Sequence, residues 1–200
     1  MPMRLWAVGA LVVAGLIGSF EKAVAISLSE DGPVARLQGS FAAGDEEVFR
    51  EFLARPRAQK IRVLYLYSYG GAINSAVKIA EMVRKAGLTT AMRANNDVCD
   101  SACTLVFVAG VRRHYVGGAD VVEGLSARTG LGFHPARQLV NSVEGSRFSE
   151  GGSNQLRALY ARMGCPGAGA LIREAAINTV YRPSGATALR LKIATSLVAP

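Results

Sequence analysis

The sequence has no run of lysine or arginine, no phosphate-binding Gly-x-x-x-x-Gly-Lys-Ser/Thr pattern and no aspartate after Asp120. Its 23 basic residues outnumber the 15 acidic ones, but they stand singly or in short groups such as Arg112-Arg113, and aromatic residues make up only 7%. A nucleic-acid footprint wants clustered bases with stacking rings among them, so an ordinary solvated basic surface explains the charge and no nucleic-acid partner is expected. Only two histidines occur, His114 and His134, which leaves two candidates for a histidine general base. No His, Asp or Glu cluster has metal-ligand spacing near the cysteines, which argues against zinc. Internal repeats and low-complexity linkers are also missing, and 200 residues, half of them apolar, suit one domain with a sizeable core.

What is present begins with the N-terminus. Arg4 precedes an apolar run of about 14 residues, Leu5 to Gly18, and a short polar piece leads to Ala23-Val24-Ala25. Charge, apolar stretch and small-residue cleavage site are the order of a secretory signal peptide. A bilayer span needs about 20 apolar residues, so membrane attachment is expected only if the leader stays uncleaved. Cleavage after Ala25 would leave 21 basic and 14 acidic residues, a net charge of +7, on a mature domain of residues 26–200 working in the periplasm or outside the cell. Three cysteines in an exported chain invite one disulfide. Cys99 and Cys103 could bridge if their segment is a tight turn, and Cys165, in the loop-like Gly164-Cys165-Pro166-Gly167, is the other candidate partner.

Along the mature chain, Ile26 to Pro33 reads as an irregular lead-in and Val34 to Gly39 as a strand. Gly44-Asp45 opens a helix that presents Val48, Phe49, Phe52 and Leu53 on one face and stops at Pro56. Ile61 to Tyr67 is the strongest strand, rich in branched and aromatic residues. It runs into Ser68-Tyr69-Gly70-Gly71, then a helix from Ala72 to Ala86 with Gly87 as its stop. Leu88 to Arg93 is a strand, Ala102 to Gly110 a buried helix, and Arg113 to Val116 a short strand. Gly117 to Thr129 is a polar surface insertion, and Gly130 to Pro135 returns to the core. Helices follow over about Ser153 to Met163 and Ala168 to Asn178. Strand and helix in alternation imply right-handed parallel crossovers and an α/β layer fold.

Three stretches carry candidate chemistry. Ser101 lies at a loop-to-helix junction, where free N–H groups and the helix dipole favour negative charge. A serine there is either an N-cap or an acyl-transfer nucleophile. Gly70-Gly71 follows a strand, where the main chain either makes a plain turn or approaches a ligand closely. His134, between Phe133 and Pro135 at the rim of the core, is either a packed structural residue or a base.

The order of these stretches resembles the Clp protease proteolytic subunit of the ClpP/crotonase superfamily. That family has an apolar strand ending in Ser-Pro-Gly-Gly, a helix, Ala-Ser-Met-Gly, an apolar helix ending Ala-Gly, and Ile-His-Gln-Pro. Here the counterparts are Leu64 to Gly71, Ser101-Ala102, Ala109-Gly110 and Phe133-His134-Pro135, and the likeness runs over roughly residues 34 to 197. The leader and Cys-x-Ser-Ala-Cys look closer to a periplasmic branch than to the cytoplasmic protease.

The resemblance implies a ClpP/crotonase-like layered β-sheet with right-handed βαβ crossovers and flanking helices. It implies Ser101 as nucleophile, His134 as general base, and the N–H groups of Gly71 and Ala102 as oxyanion hole. The family's aspartate falls near Ala175, so Glu174 beside it and Asn178 one helical turn on are the candidates for the third member. Tyr69 stands in place of the family's proline, and Asp100 precedes the serine where the family has a small residue; its charge would oppose an oxyanion if it pointed inward. Lys78 and Lys85, on the helix after Gly71, are poor candidates for a serine–lysine pair. Further implications are a peptide or protein substrate, a homo-oligomer, and neither cofactor nor metal. An ATPase partner is not expected, because an exported protein has no ATP around it. Three functions compete: an exported serine hydrolase, most simply a peptidase; a catalytically impaired binding or structural protein; and an acyl-CoA enzyme of crotonase type.

Overall fold

The computed structural model describes residues 26–124, 128–139, 146–176 and 178–200; the leader expected over residues 1–25 lies outside them. Its first element corrects the reading of an irregular lead-in. Ile26–Asp31 is a strand (β1) that pairs antiparallel with Val34–Gly39 (β2) through a turn at Gly32, whose φ is +55°. As an edge strand β1 buries only Ile26 among its six residues, so it leaves little apolar signature in the sequence.

From β2 the sheet grows by parallel neighbours: Val63–Tyr67 (β3), then Thr89–Arg93 (β4), then Arg113–Val116 (β6). Alternation along β3 sends Leu64 and Leu66 into the core and leaves Val63, Tyr65 and Tyr67 half-buried on the other face. Helices cover the buried face. Asp45–Ala54 (α1) contributes Phe49 and Phe52, Ile73–Lys85 (α2) contributes Ile79 and Val83, and Ala102–Ala109 (α3) is buried on every side. α3 packs between α2 and the sheet, which is why its sequence is apolar all round rather than along one stripe.

A smaller sheet stands at the carboxyl ends of these strands. Val98–Asp100 (β5) runs parallel to Gly130–Gly132 (β7), with Asp100 opposite Gly132. The Ser68 N–H donates to Val98 O at 2.7 Å and the Asp100 N–H to Ser68 O at 3.0 Å, so the end of β3 feeds both sheets. Asp97 holds the bend between them, accepting from the Arg93 backbone N–H and from its guanidinium.

The remaining strands form a hairpin, Arg137–Leu139 (β8) with Ser146–Phe148 (β9), and the remaining α-helices are Glu150–Arg162 (α4), Pro166–Leu171 (α5) and Gly185–Arg190 (α6). α4 starts three residues before the expected Ser153, because Ser149 caps it by accepting from the Gly152 N–H. The second expected helix stops at Leu171 instead of Asn178. Gly167 and Gly169 give the segment little helix propensity, and beyond Leu171 the chain continues as turns in which Ile172 and Ala175 are buried. Among the described residues no helix is long and apolar enough to cross a membrane.

Candidate active site

Ser101 joins β5 to α3 with φ +54° and ψ −122°, a conformation that non-glycine residues rarely adopt. Such a residue costs about 1–3 kcal/mol and persists only when its surroundings hold it. The surroundings here are specific. Its N–H donates to Gly132 O at 2.8 Å, and its carbonyl accepts from the Thr104 N–H and, at 2.6 Å, from the Thr104 hydroxyl. That hydroxyl has one proton to give, so the buried Tyr160 hydroxyl donates to it in turn. Cys99 and Cys103 form a disulfide that brackets the serine, while Cys165 stays a buried free thiol, pushed up by burial and donating to Lys192 O. The Ser101 side chain makes no cap hydrogen bond, so the helix-cap reading of this serine fails.

The two glycines are tied to this geometry. A Cβ on Gly70 would lie 2.7 Å from the Ser101 Cβ, and one on Gly71 would lie 2.2 Å from Phe41 O, both closer than real contacts. Their φ values, +94° and +132°, also lie where side chains are rarely tolerated. Phe41 N–H donates to Gly70 O and Ala72 N–H donates to Phe41 O, each at 2.8 Å. Backbone alternation then turns the Gly71 N–H to the opposite edge. Neither it nor the Ala102 N–H, in the first turn of α3, meets an acceptor among the described residues.

Asp100 is no threat to an oxyanion, because its carboxylate does not line the cleft. It is buried against Arg182, whose two terminal nitrogens donate at 2.6 and 3.1 Å, a bidentate pair. Arg182 also donates to Gly130 O, joining the C-terminal segment to the small sheet. Gly132 leaves room for this pair, since a Cβ there would fall 2.0 Å from Asp100 Oδ1.

His134 follows β7 and faces the same cleft as Ser101 and Gly71, an opening of about 900 Å³ whose walls include Phe41, Ile73 and Ala136. Its Nδ1 lies 2.7 Å from Pro135 O. A carbonyl only accepts, so Nδ1 carries the proton and Nε2 keeps its lone pair, an assignment made from the chemistry of the pair. Burial holds the imidazole below the ordinary histidine value; the Pro135 carbonyl works against that shift and the Arg137 cation adds to it. No hydrogen bond joins His134 to Ser101 in this structure.

The candidates for a third member are placed elsewhere. Glu174 and Asn178 are exposed, neither lines the cleft, and neither hydrogen bonds to His134. The lysines on α2, Lys78 and Lys85, do not line the cleft either. Lys78 pairs with Glu46 at 2.7 Å, and this ammonium, with the Ser75 hydroxyl, draws that carboxyl down to about 2. His114 is engaged with Val198 O at the far edge of the sheet. Among the described residues no three His, Cys, Asp or Glu side chains converge as metal ligands would.

No protein-family model and no curated protein matches the sequence. Solved structures do. The chain is similar to a serine-to-alanine mutant of the 1510-N membrane-bound stomatin-specific protease, at TM-score 0.59 and 10% identity over 82% of this chain and 78% of that one. A lysine-to-alanine mutant of that protease in complex with a substrate peptide gives TM-score 0.57 at 10% identity, covering 82% and 74%. Pseudomonas aeruginosa PA4980 gives TM-score 0.51 at 12% identity, covering 88% and 78%. At such identities the likeness is one of fold: the chain has the mixed α/β ClpP/crotonase fold, with a parallel-rich sheet and flanking helices.

Proposed function

We propose that the chain is an exported serine hydrolase, a peptidase, in which Ser101 attacks and His134 is the base. The observation that carries this is the conformation of Ser101: an uncapped hydroxyl at a left-handed strand-to-helix junction, opening on the same cleft as a histidine with a free Nε2. Nε2 takes the hydroxyl proton as Oγ bonds to the substrate carbonyl carbon, and the carbonyl oxygen gains the negative charge. The N–H groups of Gly71 and Ala102 receive that oxyanion. His134 then returns the proton to the leaving amine, and water, deprotonated by the same nitrogen, releases the acyl group from Ser101. Pro135 O takes the orienting part of the missing aspartate, holding the tautomer without lending a negative charge. A neutral carbonyl stabilises the imidazolium less than a carboxylate does, so turnover is expected to be slow.

Export rests on the N-terminal sequence and agrees with the Cys99–Cys103 disulfide, which persists in an oxidising compartment. A homo-oligomer and a peptide or protein substrate belong to the same reading. The impaired-protein alternative draws on the missing aspartate and on the missing Ser101–His134 hydrogen bond, although such bonds often tighten only with substrate bound. A fluorophosphonate probe decides. Labelling of the wild type that disappears in Ser101→Ala supports the hydrolase; a folded wild type that takes no label supports the binding protein; labelling that persists in Ser101→Ala removes the nucleophile from this position.

A further inference from the structure

Among the described residues lining the cleft, a single side chain carries a permanent charge, Arg137, and no carboxylate lines it. Its neighbours there are apolar (Phe41, Ile73, Ala136) or neutral and polar (Gln138, Gln155). Arg137 opens β8 three residues after His134 and is exposed. It makes no hydrogen bond or ion pair with a described residue. That sets it apart from the buried guanidiniums of the fold: Arg113 is spent on three main-chain carbonyls and Arg182 on Asp100. On the hairpin, Arg137 lies directly opposite the exposed Phe148, so the two side chains share one face.

An unpaired guanidinium is cheap while water fills the cleft. Once a substrate displaces that water, the cation must be met by an anion or its desolvation counts against binding. Arg137 also opposes protonation of His134 through space. An anion seated on the guanidinium cancels that opposition when the base must accept the serine proton. The same contact therefore serves binding and the proton transfer. Planar, forked donors match a carboxylate best.

We propose that Arg137 is the specificity-determining residue of the cleft, selecting peptides that place a carboxylate, from an Asp or Glu side chain or from the chain terminus, beside the scissile bond. The catalytic half of this inference rests on the hydrolase reading above; the binding half stands without it.

The test uses dye-labelled octapeptides that differ only in one central residue (Glu, Gln or Lys) and in a terminal carboxylate or amide. Their Kd values are read by fluorescence anisotropy on the full chain carrying Ser101→Ala, alone and combined with Arg137→Gln or Arg137→Lys, with folding checked by circular dichroism. Carboxylate peptides are expected to bind Ser101→Ala about tenfold more tightly than their neutral counterparts, as a charge-assisted hydrogen bond allows. The preference is expected to vanish with Arg137→Gln, to return in part with Arg137→Lys, and to shrink as salt rises from about 0.05 to 0.5 M. Whichever carboxylate carries it, side chain or terminus, identifies the group recognised. Equal binding of acidic and neutral peptides, an acid preference that survives Arg137→Gln, or no binding up to about 1 mM overturns the proposal. Because binding is measured on a chain without the serine hydroxyl, its failure is separate from a failure of fluorophosphonate labelling.

Discussion

The two sides of the cleft are built to different standards. On the serine side, Ser101 is fixed by a main-chain bond to Gly132, by the Thr104–Tyr160 hydroxyl pair, by a disulfide across it, by the packing of Gly70 and by the Asp100–Arg182 pair in the strand before it. On the histidine side, His134 is held by one hydrogen bond, to the carbonyl of the next residue, and the chain runs on into a small hairpin. The strained conformation of Ser101 needs many constraints, because each loosened one lets the backbone relax out of it. In the proposed role of base, His134 needs only the right tautomer and room to reach Oγ. Under the proposed hydrolase reading, the serine side is built in advance and the Ser101–His134 contact is left for a substrate to complete.

The largest expected effect tests the histidine side. His134→Gln should slow fluorophosphonate labelling by about 10²–10⁴-fold, the usual contribution of a general base, while thermal melting stays close to wild type. An unchanged rate would make the histidine a bystander.

Next comes the serine side. Arg182→Met leaves the Asp100 carboxylate buried and unpaired, which costs about 3–5 kcal/mol, read by urea denaturation. Adding Asp100→Leu should restore part of that loss; a single variant as stable as wild type would show that the pair does not support the Ser101 turn.

A smaller loss is expected from Cys99→Ser/Cys103→Ser. Opening a loop this short removes about 2 kcal/mol in the chain-entropy account, and labelling should slow because Ser101 relaxes. Dithiothreitol should slow the wild type in the same way and leave the double variant unaffected. The reverse pattern would place the reducible group elsewhere.

The smallest effect is a shift in pH. Burial lowers the affinity of His134 for a proton, so its neutral form, the one the proposed base requires, persists below the ordinary histidine value of 6.5. Labelling should rise with pH through a midpoint below 6.5, and Arg137→Gln should move that midpoint upward by removing a repelling cation. By linkage the unfolded chain binds this proton more readily, so the contribution of His134 to stability is lost as pH falls below about 6.5 toward its folded value. A midpoint above 6.5 would mean that the base is not this buried imidazole.

Much of the frame is legible without coordinates. Alternation in Val34–Gly39 and Val63–Tyr67, the helical period after Gly71 and the apolar run of α3 all appear as strands and helices where expected. Edge strand β1 escapes a sequence reading because one buried residue makes no pattern. The helix after Pro166 stops at Leu171, because its two glycines, Gly167 and Gly169, give it little propensity to run on. In the site, the order Gly-Gly, serine, histidine points to residues that do face one cleft. Sequence reasoning seeks the orienting partner of His134 in Glu174 and Asn178, yet its hydrogen bond goes to the main chain of Pro135, a partner that no side-chain pattern can signal. Asp100, a hazard to the oxyanion on sequence alone, is bound by Arg182 from 82 residues away.

The sequence by itself determined the local elements, the residue types available for chemistry and the glycines that allow close approach. These follow from period, turn preference and side-chain chemistry within a few residues of one another. Only the tertiary structure decided which way Asp100 points, which cysteines join, what orients His134 and which charged side chain, among the described residues, lines the cleft. Those outcomes depend on strand register and helix packing between segments far apart in the chain, where a shift of one residue turns a side chain to the opposite face.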